Sequence, residues 1–142
     1  MAEFTQSYEV FEHTADVGIH AYGRTLEELF AAAALGMESL MIAPEQLRVE
    51  TSREVIVEEQ NLLALLIAWL NELVFLFDTE FLLFREVEIL ELSEQRLRAR
   101  VGGEPYDAER HELSSAIKAV TWHEASITSV DGGYRARVIF DI

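Results

Sequence analysis

The chain has 142 residues, half of them hydrophobic, and 26 acidic against 11 basic side chains give a formal charge of −15. That apolar share supports one compact domain, residues 1–142, with a real core and argues against disorder. The charge disfavours direct nucleic-acid binding, whose affinity comes largely from lysines and arginines displacing counterions; a cation or a basic protein surface is the more natural partner, and plain solubility accounts for the composition equally well.

The first predicted strands are Tyr8 to Glu12 and Val17 to Tyr22, separated by His13-Thr14-Ala15-Asp16. Thr25-Leu-Glu-Glu28 is a capping box, in which the Thr hydroxyl accepts an N–H three residues on and the Glu reaches back. Leu26, Leu29, Phe30, Ala33, Ala34, Met37, Leu40 and Met41 follow at helical spacing. Gly36 inside that helix costs about 1 kcal/mol relative to Ala, which a close packing contact would explain. Pro44 closes the segment.

Leu47 to Glu58 reads as one long or two short strands, with Val55, Ile56 and Val57 central. Asn61 is the N-cap of a second helix running to about Asp78. Its apolar residues go nearly all the way round, so it is expected to be buried on most sides; a partner covering it is the alternative. Strands return at Leu83 to Glu91 and Arg96 to Val101, turning at Ser93-Glu-Gln. Arg96, Arg98 and Arg100 share one face of their strand and are expected to pair with neighbouring glutamates in solvent. Gly102-Gly103 is expected to be a turn. A last hairpin, Ala125 to Val130 and Tyr134 to Asp141, turns at Asp131-Gly-Gly133. The elements read as two similar passes of strand, helix and paired strands. Sheet plus two helices on one face predicts an α+β two-layer sandwich, its sheet mixed or antiparallel.

Cysteine is absent, which removes disulfides, thiolate metal sites and cysteine nucleophiles together. Met1-Ala-Glu-Phe-Thr-Gln lacks the basic start and apolar run of a signal peptide. The longest apolar stretch, Leu62 to Phe77, contains Asn71 and Glu72 and is expected to be too short to span a bilayer. The expectation is a soluble, cytoplasmic protein without a membrane partner.

Candidate chemistry lies at the two ends. The sequence finishes on a predicted strand, where Asp141 stands beside the α-carboxylate of Ile142. Adjacent anions favour a raised pKa or a neutralising cation. If His13-Thr14-Ala15-Asp16 meets that end, Asp16, Asp141 and Ile142 supply three anionic oxygen groups, which suit Ca²⁺, Mg²⁺ or Mn²⁺ rather than a soft metal. His13 could orient Asp16 or serve as a ligand. From the tetrapeptide alone an Asx turn at Asp16 is the simpler reading. Lys118 sits in a small, apolar stretch, where its ammonium would be partly desolvated and could offset the carboxylates; an ordinary snorkelling lysine is the alternative. His123 could hydrogen-bond a carboxylate or be a satisfied structural residue. His20 and His111 carry no pattern and are expected at the surface. There is no nucleophilic triad, Gly-rich phosphate loop or H-E-x-x-H motif.

His13-Thr14-Ala15-Asp16-Val-Gly-Ile19, Trp69-Leu-Asn-Glu-Leu73, Lys118-Ala-Val-Thr-Trp-His123 and the terminal Phe140-Asp141-Ile142 together resemble the archease family over essentially the whole chain. The resemblance implies a protein cofactor, itself no enzyme, of the tRNA-splicing, GTP- and manganese-dependent RNA ligase. Such a cofactor promotes guanylylation of the ligase and supports multiple turnover. It further implies a divalent-metal site at Asp16, Asp141 and the Ile142 carboxylate, commonly with calcium, with Lys118 functionally important beside it and His13 and His123 inside matching motifs. Trp122 stands where the family often has tyrosine. A different class, a chaperone that keeps an RNA-modifying enzyme such as a tRNA methyltransferase soluble, stays open. A stand-alone metal-dependent hydrolase would require turnover by the isolated protein. Neither oligomeric state nor the ligase contact surface is legible.

Overall fold

The computed structural model describes residues 7–13 and 16–142. In chain order the elements are β1 (Tyr8–His13), β2 (Asp16–Gly23), α1 (Leu26–Met41), a 3-10 turn at Pro44–Gln46, β3 (Thr51–Glu58), α2 (Leu62–Glu80), β4 (Leu82–Leu92), β5 (Arg96–Pro105), β6 (Ala119–Val130) and β7 (Gly133–Asp141). The α+β class holds, with the strands divided between two antiparallel sheets: a four-stranded one in the order β1-β2-β7-β6 and a three-stranded one in the order β3-β5-β4. The two predicted passes are therefore not two halves, because the first two strands join the last two.

Local signals set the helix starts. The Thr25 hydroxyl accepts the Glu28 N–H at 3.1 Å, and Glu28 reaches back to the Arg24 N–H at 3.2 Å. The Asn61 side chain accepts the Ala64 N–H at 2.9 Å, and α2 ends at Phe81 in the left-handed region, φ 60°. Gly36 does mark a close contact: a Cβ there would stand 3.0 Å from Ile19 Cδ1 and from Tyr8 Cγ. Each helix packs against strands of both sheets. The apolar side chains form one cluster in which Phe30, Leu65, Trp69, Leu73, Val101 and Phe140 have no exposure. Complete burial of a residue like Phe30 or Phe140 contributes roughly 1.5–3 kcal/mol. Trp69 satisfies its indole N–H on the Phe30 carbonyl at 3.0 Å, fastening α2 to α1.

Several expectations change. Leu47 to Glu58 is a strand only from Thr51, because Pro44 opens a 3-10 turn and the chain reaches β3 through an irregular stretch. Gly102 and Gly103 are not a turn but lie within β5, where a Cβ on Gly103 would come 1.9 Å from the Leu83 carbonyl oxygen. α2, at 19 residues, is long and apolar enough to cross a membrane. Leu65, Leu66, Trp69, Leu70 and Leu73 are instead fully buried, as in the core helix of a folded domain.

Candidate functional site

The two ends of the chain meet in the four-stranded sheet. β7 lies between β2 and β6, with Val17 opposite Phe140 and Phe140 opposite Val120. Phe140 and Val120 are buried, so this row faces the helices. One residue further out, Ala119 is opposite Asp141, and Asp16 is opposite His13. Continuing the β2–β7 ladder by that residue sets Asp16 opposite Asp141. Successive side chains alternate faces and opposite residues share one, so the two aspartates project together from the outward face. Asp16 is half-buried and Asp141 exposed. Like charges directly opposite destabilise a sheet, and a cation between them would relieve that repulsion. The His13 side chain, with Thr14 and Ala15, lies outside the described residues; only its backbone, closing the β1 end of this row, is defined.

Lys118 immediately precedes β6, and its backbone N–H donates to the Asp141 carbonyl at 2.8 Å. Its side chain is exposed, which corrects the expectation of partial desolvation: the apolar neighbour that points inward is Ile117. The segment that delivers Lys118 is pinned along its length. Ser114 N–H donates to the Met41 carbonyl at 2.8 Å and Glu112 N–H to Gln46 Oε1 at 2.7 Å. At its start, Glu104 is fully buried and accepts from the Arg110 guanidinium, from Arg48 N–H at 2.6 Å and from His111 Nε2 at 3.0 Å. Burial by itself would raise the Glu104 pKa, but these donors outweigh it and hold it at about 2. His111 is thus buried rather than on the surface. Asp107 N–H donates to its Nδ1 at 2.8 Å, so the proton sits on Nε2 and goes to Glu104.

Two further features shape the site. Asn71 on α2 accepts the Val120 N–H at 3.1 Å and donates to the Val120 carbonyl at 3.5 Å. Its amide therefore satisfies the backbone of edge strand β6 beside the aspartate row, a contact the sequence signalled only as a polar break in an apolar helix. On the outward face Phe11 lies over Gly18, where a Cβ would stand 2.4 Å from the ring, and the Arg137 guanidinium stacks 4.5 Å from the Phe11 centroid.

Beyond Thr121 the β6–β7 register breaks until Ser126. Within the break Glu124 adopts φ 52° and brings its carboxylate 3.2 Å from His123 Nε2 and 3.7 Å from Arg137. His123 does reach a carboxylate, but it stands in this bulge, four residues up the strand from the aspartate row, and it is exposed, as is Trp122. His20, half-buried, stacks 4.8 Å from Phe11 and lies 3.3 Å from Glu9.

Among the described residues no three His, Cys, Asp or Glu side chains converge. At the row the two aspartates, with exposed Ile142 following Asp141, offer oxygen donors only. That all-oxygen donor set fits Ca²⁺, Mg²⁺ or Mn²⁺ and would serve a thiolate-seeking metal poorly.

The sequence profile of the Archease protein family (MTH1598/TM1083) matches residues 8–142. Protein archease of Thermococcus gammatolerans is 42% identical, covering 95% of this chain and 98% of that protein. Protein archease of Methanosarcina mazei is 38% identical, covering 96% and 97%. Among solved structures, the solution structure of Methanobacterium thermoautotrophicum protein 1598 superimposes with a TM-score of 0.80 at 38% identity, over 96% of this chain and 99% of that one. The crystal structure of an archease and possible chaperone from Thermotoga maritima gives 0.66 at 17% identity, over 93% and 94%, a likeness of fold alone. With the matched profile running from the first residue of β1 through the aspartate row that β2 and β7 build, the chain belongs to the archease family.

Proposed function

We propose that this protein activates the tRNA-splicing RNA ligase, promoting its guanylylation and repeated turnover, and that it has no ligase activity of its own. The observation that carries this is the facing pair Asp16 and Asp141 at the outward end of the four-stranded sheet, in a chain of the archease family. In this reading Asp16, Asp141 and the Ile142 carboxylate hold a divalent ion, calcium first, with magnesium or manganese as alternatives. Bound there, the ion would supply a hard positive centre able to stabilise anionic oxygens.

The chain's own residues have separable roles. The aspartates provide the oxygens, and Lys118 offers a mobile cation next to them. Asn71 holds β6 at Val120, which keeps Lys118 in step with Asp141. A formal charge of −15 steers the surface towards a basic, RNA-binding enzyme and away from RNA itself. His123 pairs with Glu124 in the β6 bulge, four residues along the strand from the row; His13 and His123 are kept as residues of functional interest from their motifs alone.

GTP-dependent self-guanylylation of the cognate ligase, with substoichiometric wild type, Asp16→Ala or Asp141→Ala, tests the reading. Wild type should accelerate that step and the folded variants should not. Suppressed aggregation of an RNA-modifying enzyme at stoichiometric ratio, with no effect on guanylylation, would move the protein to the chaperone class, the possibility printed for the Thermotoga maritima structure.

A further inference from the structure

On β2, Ile19 and Ala21 are fully buried and face the helices, and on β7 Ala136, Val138 and Phe140 do the same. Successive side chains alternate, so the other face of the sheet receives Asp16, Gly18 and His20 from β2 and Arg137, Ile139 and Asp141 from β7. Solvent commonly reaches such a face in an antiparallel sheet. Ile139 nevertheless has no exposure, although among the described residues it stands apart from the helix-facing cluster. Its burial has to come from the outward side.

Phe11, Gly18, Ile139 and Thr121 form one row across β1, β2, β7 and β6. Gly18 has no side chain, and the tip of the Phe11 ring occupies the place left open. A Cβ on Gly18 would stand 2.8 Å from both Cε atoms of the ring and closer still to Cζ. The next row along the strands holds the ring in place, with the Arg137 guanidinium 4.5 Å from its centroid and the His20 ring 4.8 Å away. Both of those side chains are themselves tied to carboxylates, Arg137 to Glu124 at 3.7 Å and His20 to Glu9 at 3.3 Å. At the other end of the row, the Thr121 hydroxyl donates to the Ile139 carbonyl at 3.0 Å. The row is a small apolar layer on the outward face, fixed at both ends.

The aspartate pair is the adjoining row. Asp16 is two residues from Gly18 and Asp141 two from Ile139, about 7 Å along each strand. One flank of the pair is thus packed side chains rather than solvent. Charges beside apolar surface interact more strongly than they do in water, and the shell around a set of ligands tunes both their orientation and the affinity for a metal. We propose that Phe11, seated on Gly18 beside Ile139, is a positioning residue that holds Asp16 in step with Asp141 for a divalent cation. This rests on the cation-binding reading of the two aspartates and adds the contact that sets its affinity.

Calcium chloride titrated into the full chain in a calorimeter tests it, because the heat reports cation binding without the ligase. Phe11→Ala should weaken calcium binding about tenfold, and Gly18→Ala, whose methyl group displaces the ring, should do likewise. Phe11→Leu keeps an apolar side chain over Gly18 and should recover most of the affinity. Val55→Ala, buried in the other sheet, should lower the melting temperature and leave calcium affinity at the wild-type value, which separates positioning from general loosening. Folded Phe11→Ala and Gly18→Ala proteins that bind calcium as tightly as wild type overturn the inference and leave the cation-binding reading standing. A Val55→Ala protein weakened as much as Phe11→Ala also overturns it. If Phe11→Ala fails to fold, Gly18→Ala decides alone. Wild type that gives no binding heat with calcium, magnesium or manganese sinks the cation-binding reading itself, and this inference with it.

Discussion

On the three-stranded sheet the outward arginines of β5 meet carboxylates from both neighbours: Arg98 lies 2.7 Å from Glu54 and 3.4 Å from Glu91, and Arg100 lies 3.2 Å from Glu88. On the four-stranded sheet the last β2–β7 pair is Val17 with Phe140, so the next residues along, Asp16 and Asp141, come together at the end of the ladder, with the nearby lysine exposed. Opposite charges across strands settle locally and add solubility. Like charges brought to one end of a sheet repel one another rather than settle as a local pair. In the activator reading proposed above, the contrast separates a face that serves the fold from a face that serves an interaction.

The largest effects expected from breaking this contrast are on the aspartate row. Asp16→Ala with Asp141→Ala should lower ligase stimulation by about two orders of magnitude, with helical circular dichroism retained. The paired change Arg98→Ala with Arg100→Ala should leave both stimulation and melting temperature unchanged within error, because exposed ion pairs contribute little. The reverse outcome would exchange the roles of the two faces.

Next in size are two buried glutamates that sharpen the contrast within the fold. Glu104→Gln should cost about 2–3 kcal/mol in denaturant unfolding, since it weakens the partners of Arg110, the Arg48 N–H and His111 together. Its folded pKa, about 2, lies below the ordinary 4.5. The stability it adds is therefore complete above pH 4.5 and lost as pH falls towards 2, and the variant should lack that acid limb.

Glu38 behaves oppositely. It is buried on α1 with one donor, the Phe84 N–H at 2.7 Å, and its second oxygen has no partner. Burial raises its pKa to about 8 against 4.5, only partly offset by that hydrogen bond. The folded protein then holds a proton that the unfolded chain has lost, so stability falls as pH rises from 4.5 and levels off above 8. The slope is at most about 1.4 kcal/mol per pH unit. Glu38→Gln keeps the acceptor for Phe84 and should flatten this limb in pH-dependent denaturant unfolding.

The smallest expected effect is at Asn71. Asn71→Ala removes the amide that covers Val120. It should cost about 1–2 kcal/mol of stability and lower stimulation severalfold, less than loss of either aspartate. Urea midpoints and guanylylation rates measured on one preparation check both.

What the sequence by itself determined is what acts within a few residues. Thr25 and Asn61 cap helices through their own next turn, Arg96, Arg98 and Arg100 alternate on one strand, and Asp131-Gly-Gly133 turns a hairpin. Asp16, Asp141, Lys118 and His123 stood out as candidates because each sits in a short motif. Tertiary structure alone decided that Asp16 faces Asp141, since the two-residue period of a strand names a face but not a partner. It also decided that Gly103 lies under the Leu83 carbonyl rather than in a turn, that His111 is buried against Glu104, and that Trp122 stays in solvent while Trp69 does not. Each of these depends on which distant segment arrives alongside, and contacts between the two ends of a chain are written in no local pattern.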